Sequence, residues 1–279
     1  MQQFASETGL PPVLNDVVTT AMGTAHREDP VAPHTGGPAG NARLTAWAGL
    51  FLLVAFLVEC FTLLSLNAMI NIHILLGAFL SPLVLLKTAT TGWRIVRYYL
   101  GASAYRAAGP PPLVLRVLGP LVVLTGLAVV GSGLALVPLG DGAFSSLGSV
   151  VGFRISPLTV HQASFIAWLV ATGLHVLART VPAVQVAAGG RPHRRRVPGS
   201  VGRGVVMLGT LALGAAIGVL VLHLAGGWTD GSVRAFHHHE FDRIHDDSQG
   251  MTATPHRGSV RFLRTRLVVG TVVNLAVRR

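Results

Sequence analysis

Two apolar stretches of the chain share one frame of basic side chains. HILLGAFLSPLVLLK begins at His73 and ends at Lys87, and HQASFIAWLVATGLH begins at His161 and ends at His175. Fourteen steps along an α-helix carry a side chain about 21 Å along the axis and return it to within about 40° of its starting direction. The spacing therefore predicts that each pair lies on one face of a helix, at two separate levels.

The residue types at these levels are those that bind iron. If the two helices run in the same direction, His73 faces His161 at one level and Lys87 faces His175 at the other. Two histidines at one depth on neighbouring helices supply both axial ligands of a six-coordinate haem iron. Structural zinc fits less well, because it needs four ligands in one small shell. The alternative is that these are unrelated polar residues that hydrogen-bond between helices.

The elements that must position these residues are transmembrane helices. The chain is 51% hydrophobic and 12% charged, with a mean hydropathy of +0.57, which is too apolar for an ordinary soluble domain. A spanning helix needs about 20 apolar residues. Five stretches meet this requirement or nearly do: 45–66, 70–91, 114–138, 158–178 and 204–225. The predicted fold is all-α, a polytopic transmembrane helix bundle with five spans and disordered termini.

The chain divides into three parts by composition. Residues 1–44 are polar and rich in Pro, Gly and Thr, which predicts a disordered cytoplasmic segment. Residues 45–225 form the predicted membrane bundle. Residues 226–279 are a polar, histidine-rich tail that ends in a short basic apolar segment. The tail has side chains suited to zinc, copper or iron, and a solvated tail is the preferred interpretation: His237, His238, His239, Glu240, Asp242, His245, Asp246 and Asp247.

The net charge of +11 is distributed as expected for a membrane protein. Arginines are concentrated in the connection between the second and third spans and in the connection between the fourth and fifth. The stretch 137–157 contains one arginine, Arg154. By the positive-inside rule the crowded connections are cytoplasmic. This predicts a multi-pass protein of the cell membrane with a cytoplasmic N-terminus. Membrane lipid is the expected surrounding, and a nucleic-acid partner is not expected.

The frame of basic residues resembles that of the di-haem cytochrome b families. These are the cytochrome b/b6 subunits of quinol-oxidising complexes and related small b-type cytochromes, including ferric-reductase-like membrane domains. The resemblance covers residues 45–225 and implies haem b, with His73 and His161 as axial ligands of an outer haem and His175 as a ligand of an inner one. It also implies room for the macrocycle at Gly77, Gly126 and Gly173.

Two arginines and one lysine complete the site that the resemblance implies. Arg154 on the outer side and Arg94 on the inner side would pair with haem propionates. Lys87 departs from the family pattern, which has histidine at this position, and it is the only lysine beside 21 arginines. Either Lys87 extends its ammonium to the cytoplasmic surface and the chain holds one haem, or neutral Lys87 binds the inner iron and the chain holds two.

Two functions from different classes fit these residues. The first is a b-type cytochrome that moves electrons between an acceptor and either quinol or a redox partner protein, as the membrane subunit of an oxidoreductase. The second is a transporter or structural membrane protein without a cofactor, in which Glu59, Lys87 and the histidines form a proton or ion path. No P-loop, dinucleotide fingerprint or nucleophile elbow occurs in the sequence. The sequence does not determine the oligomeric state.

Overall fold

The computed structural model describes residues 11–24, 29–109, 113–188 and 196–230, and within them the fold is all-α, as predicted. The helices, numbered in chain order, are α1 Pro12–Ala21, α2 Gly37–Thr62, α3 Leu66–Tyr99, α4 Ser103–Ala107, α5 Leu113–Leu139, α6 Pro157–Ala188, α7 Ser200–Leu224 and α8 Gly226–Thr229. Two short antiparallel strands, β1 Gly148–Val150 and β2 Phe153–Ile155, lie in the connection between α5 and α6.

Four continuous helical stretches of the described chain are long and apolar enough to cross a membrane, one fewer than predicted. They are Gly37–Tyr99, Leu113–Phe144, Pro157–Ala188 and Ser200–Leu224. The difference lies in the first stretch, which has 63 residues and contains the first two predicted spans without an intervening loop. A 3-10 turn over Leu63–Ser65 joins α2 to α3, and the backbone of Ser65 is not helical (φ −145°, ψ 62°).

Helices α2 and α3 form an antiparallel hairpin around this turn. Near the turn, Thr62 of α2 contacts His73 of α3 through their side chains. At the far end, the Asn41 amide donates to the backbone carbonyl of Thr90 over 2.9 Å. The two helices of the hairpin therefore correspond to the first and second predicted spans.

Helices α2, α3, α5 and α6 form a four-helix arrangement. Both α2 and α5 pack against α3 and against α6, whereas neither the α3–α6 pair nor the α2–α5 pair makes extensive contact. The helices that carry the two basic frames, α3 and α6, therefore face each other across a diagonal. Helix α1 packs mainly on α6. This diagonal placement directs side chains from α3 and α6 toward a shared interior.

Helix α7 packs on α3 outside this arrangement and closes the apolar core. A methyl group on Gly214 would come within 2.7 Å of the Phe79 carbonyl oxygen, so only glycine permits this close approach. The core cluster joins α2, α3 and α7 through six buried side chains: Ala48, Leu52, Leu80, Leu83, Val84 and Met207.

The described part of residues 1–44, which the sequence predicted to be disordered, contains helical structure. Helix α1 lies within it, and α2 begins at Gly37, where a proline in the first turn and Gly36 at φ 79° form the start. Asp29 is tied to Arg94 of α3 by an ion pair. Polar residues are therefore ordered here because they pair with the end of the bundle.

The predicted C-terminal tail is described only to residue 230. Within that part, α8 brings the Trp228 indole to the Leu136 carbonyl oxygen of α5, at 3.1 Å. The histidine-rich cluster of the tail and its final basic segment lie outside the described residues.

Candidate functional site

The structure places the basic residues of α3 and α6 at two levels, as the frame predicts. His73 and His161 interact electrostatically and define the histidine level. Lys87 and His175 do the same and define the lysine level. Because both pairs match in chain order, α3 and α6 run in the same direction. The two levels are about 21 Å apart along each helix.

Contacts with α2 give the same register independently. The Trp168 ring of α6 lies 4.4 Å from the Phe56 ring of α2, centroid to centroid. His161 and His175 are each seven residues from Trp168, and α2 runs antiparallel to α6. They therefore lie level with residues about seven positions to either side of Phe56, near Leu63 and Gly49. His73 contacts Thr62 and Lys87 contacts Gly49, so both pairs are matched in depth.

At the histidine level, hydrogen bonds fix the tautomer of His73. The Thr62 hydroxyl donates to the Glu59 carbonyl over 2.6 Å, so it can only accept from His73 Nδ1, 3.1 Å away. The carboxylate oxygen Oε1 of Glu59 lies 2.8 Å from the same Nδ1. Both neighbours accept, so Nδ1 carries a proton, and in the neutral imidazole Nε2 then keeps the lone pair.

The same logic applies to His161 on the opposite helix. The Ser132 hydroxyl of α5 donates to the Ala128 carbonyl over 2.6 Å and lies 3.0 Å from His161 Nδ1. Because the Ser132 hydroxyl already donates its proton to this carbonyl, it accepts a hydrogen bond from His161 Nδ1–H. A histidine that binds a metal through one nitrogen typically donates its other N–H to such an acceptor. Both histidines therefore have a hydrogen-bond acceptor beside Nδ1.

The space around His161 depends on a glycine of α5. A methyl group at Gly133 would lie 3.0 Å from His161 Cε1, so the imidazole packs directly over this backbone. By contrast, a methyl group at Gly131 would meet nothing within 4 Å. Gly133 therefore sets how far the His161 ring can approach α5.

At the lysine level, Lys87 extends toward α2. Its ammonium donates to the Thr45 carbonyl over 3.4 Å, and a methyl group at Gly49 would come within 2.8 Å of Nζ. His175 Nδ1 is buried and has no hydrogen-bond partner among the described residues. Arg179, one turn further along α6, interacts electrostatically with His175. This level is thus rich in donors and poor in acceptors.

The two arginines predicted to pair with haem propionates have different surroundings in the structure. Arg94 was expected to pair with a haem propionate. Its guanidinium instead donates two hydrogen bonds to the Asp29 carboxylate, at 3.2 and 2.5 Å, in a bidentate ion pair. Arg154 is exposed on β2 opposite Ser149, and it makes no contact with the histidines in the described structure. Arg94 is therefore engaged within the chain.

Of the three glycines expected to leave room for a macrocycle, only one faces open space. A methyl group at Gly126 would meet the Trp168 indole at 3.6 Å, and one at Gly77 would meet the Glu59 carboxylate at 3.5 Å. Gly173 has nothing within 4 Å. The Trp168 ring, stacked near Phe56 and Phe165, fills the interior between the two levels.

No group of three or more His, Cys, Asp or Glu side chains in the described structure is close enough to hold a metal ion directly. A haem iron differs in this respect, because its porphyrin provides four nitrogens and the protein adds only two ligands. At the histidine level, His73 and His161 are the two residues that could supply these ligands. The lysine level fits this requirement less well, because Lys87 is directed to the Thr45 carbonyl.

Sequence reasoning missed the residues that orient the two histidines. Thr62 and Ser132 were not singled out, and Glu59 was named only as a member of a proton or ion path. A carboxylate inside an apolar span was the available signal for Glu59. The hydroxyl partners depend on helix rotation, which the sequence does not give.

Comparison with protein-family models, with curated proteins and with solved structures finds no match to this chain.

Proposed function

We propose that this chain is a membrane b-type cytochrome that holds one haem b at the histidine level, with His73 and His161 as the axial ligands. The observation that carries the proposal is the matched hydrogen bonding of the two imidazoles. On two parallel helices that face each other diagonally, both imidazoles have acceptors beside Nδ1, which leaves Nε2 of the neutral rings available for iron.

The residues of the chain would bind and orient the group in distinct ways. His73 and His161 supply the axial nitrogens, while Glu59, Thr62 and Ser132 fix the two rings. Haem would supply a one-electron couple. The buried carboxylate beside His73 strengthens that imidazole as a donor and thereby favours the oxidised iron.

In this proposal the protein passes electrons between quinol or a redox partner protein and an acceptor. With the arginine-rich connections on the cytoplasmic side, the histidine level lies toward the outer face of the cell membrane. The chain would then act as the membrane subunit of an oxidoreductase rather than as a complete enzyme.

The test is optical and chemical. Purified full-length protein should show a Soret band that shifts on reduction with dithionite, and extraction should give protohaem. Colourless protein that stays colourless after incubation with haemin would refute the proposal.

A proton or ion path is the second candidate function, and one observation favours it. In the described structure, the buried side-chain atoms that lack a hydrogen-bond partner are Glu59 Oε2, Ser81 Oγ, Thr172 Oγ1 and His175 Nδ1. They come from α2, α3 and α6, the helices that surround the interior. Colourless protein that dissipates a pH gradient in liposomes, with loss of flux in Glu59→Gln, would favour this candidate.

A further inference from the structure

The lysine level continues into a cluster of cations at the same end of the bundle. Arg179 lies one turn beyond His175 on α6, and Arg94 lies two turns beyond Lys87 on α3. Arg179 interacts electrostatically with Arg94 and with Asp29, and both Lys87 and Arg179 act on His175. These contacts join the two helices across the diagonal into one charged site.

The charges within this cluster do not balance. Lys87, Arg94 and Arg179 are three cations, and Asp29 is the one carboxylate that interacts with them in the described structure. Asp29 is held by Arg94 through both of its oxygens. One carboxylate therefore faces three cations, which leaves an excess of two positive charges. Like charges close together in a region of low dielectric destabilise the fold unless an anion compensates them.

The hydrogen-bond donors of the cluster are also unsatisfied. Lys87 makes one long bond to the Thr45 carbonyl at 3.4 Å, although an ammonium has three donors. Buried His175 Nδ1 has no hydrogen-bond partner among the described residues. Donors in such surroundings require acceptors, and an oxyanion supplies several at once.

The cluster is accessible from outside the bundle. The Arg179 side chain is exposed, whereas Lys87 and His175 are half-buried. An anion can therefore approach the cluster at Arg179, which lies in front of Lys87 and His175. Glu59, the buried carboxylate of the span, lies ten residues along α2 from Gly49 and thus about 15 Å away, too far to compensate the cluster.

We propose that Lys87, His175 and Arg179 bind a phosphate group at the lysine level. Arginine offers paired N–H donors to two phosphate oxygens, lysine adds a point charge, and His175 Nδ1 in its N–H tautomer donates a third contact. The phosphate belongs either to an anionic phospholipid headgroup or to free inorganic phosphate. The site explains why a lysine completes the frame, and it does not depend on haem at the histidine level.

The test uses full-length protein in neutral detergent and in nanodiscs. Inorganic phosphate at millimolar concentration is titrated into the detergent sample while the thermal unfolding midpoint is followed. In parallel, native mass spectrometry counts the phosphatidylglycerol and phosphatidylcholine molecules retained from mixed nanodiscs. We expect phosphatidylglycerol to be retained about tenfold over phosphatidylcholine, and Arg179→Gln and Lys87→Gln each to reduce this preference severalfold.

Matched variants separate the site from general charge. Lys87→Arg keeps the cation and should keep the preference, and Arg154→Gln removes an exposed cation elsewhere and should not change it. Stabilisation by inorganic phosphate would identify free phosphate as a ligand, and retention of phosphatidylglycerol alone would identify the headgroup. The proposal is overturned if neither probe binds, or if Arg179→Gln, which alters an exposed side chain, binds as wild type does.

Discussion

At the scale of single residues, two hydroxyl groups reveal the protonation of the histidines. The hydroxyls of Thr62 and Ser132 each donate a hydrogen bond to a carbonyl of the same helix, so each can only accept one from an imidazole. Threonine and serine commonly bond backward in this way within helices. The consequence is that His73 and His161 present the same nitrogen, Nε2, although they lie on different helices with different partners.

The two histidines should act as one site. His73→Ala and His161→Ala are each expected to reduce bound haem to near zero, because each removes one of two ligands to a shared iron. Haem per chain is measured by pyridine haemochrome against protein concentration. His223→Ala, which removes an exposed histidine of α7, is the control and should bind haem normally. Undiminished haem in both of the first two variants would contradict the pairing.

Glu59 should set the redox potential of the same site. Glu59→Gln keeps an acceptor beside His73 Nδ1 but removes its charge, so the imidazole becomes a weaker donor and the ferric state is less stabilised. A tenfold loss of this preference raises the midpoint potential by about 59 mV. Redox titration of the wild type and the variant checks this. A midpoint equal to that of wild type, with full haem content, would show that the carboxylate does not act through His73.

At the scale of the elements, the helices of the bundle could be predicted from the spacing of apolar and basic residues. The structure of the polar segments could not. Five apolar runs and the matched spacing of the histidines on α3 and α6 could be predicted, because membrane spans require length and a ligand face requires a helical period. The structure joins the first two runs in one continuous helical stretch, so the described chain has four such stretches. The beginning of α2 could not be predicted, because GPAGNAR has no apolar period. Contacts distant in sequence hold it in place, from Asn41 to Thr90 and from Asp29 to Arg94. The position of Trp168 beside Gly126 depends on how α5 and α6 are rotated.

The close packing of α5 against His161 predicts how substitutions on α5 affect the haem content. Gly133→Val should displace the imidazole, because even a methyl group there would lie 3.0 Å from Cε1. We expect haem content to fall by at least half while the protein still folds. Gly131→Val on the same helix is the matched control, since its side chain would enter open space. Equal haem content in the two variants would count against the placement of His161.

At the scale of the whole molecule, the basic connections predict orientation. The α2–α3 hairpin brings the start of α2 and the end of α3 to the same end of the bundle, where the lysine-level cations lie. If α5, α6 and α7 each cross the membrane once, every arginine-rich connection lies on the same side of the membrane as this end of the bundle. The positive-inside rule predicts that this side is cytoplasmic.

Reporter fusions test this orientation. A phosphatase active only outside the cytoplasm should be inactive when fused after about residue 105 and active when fused near residue 147, in the β1–β2 region. A fluorescent reporter that folds only in the cytoplasm should give the inverse pattern. An active phosphatase at residue 105 would exchange the inner and outer faces, and it would place the phosphate site on the outer surface.

The most direct test of the central claim is the haem content of the purified wild-type chain. Protein expressed with haem precursor and isolated in mild detergent should contain one protohaem per chain, with a low-spin bis-imidazole spectrum. Two haems per chain would show that Lys87 and His175 also bind iron and that the phosphate site is wrong. Colourless protein, unable to take up haemin, would contradict the assignment of His73 and His161 as axial ligands.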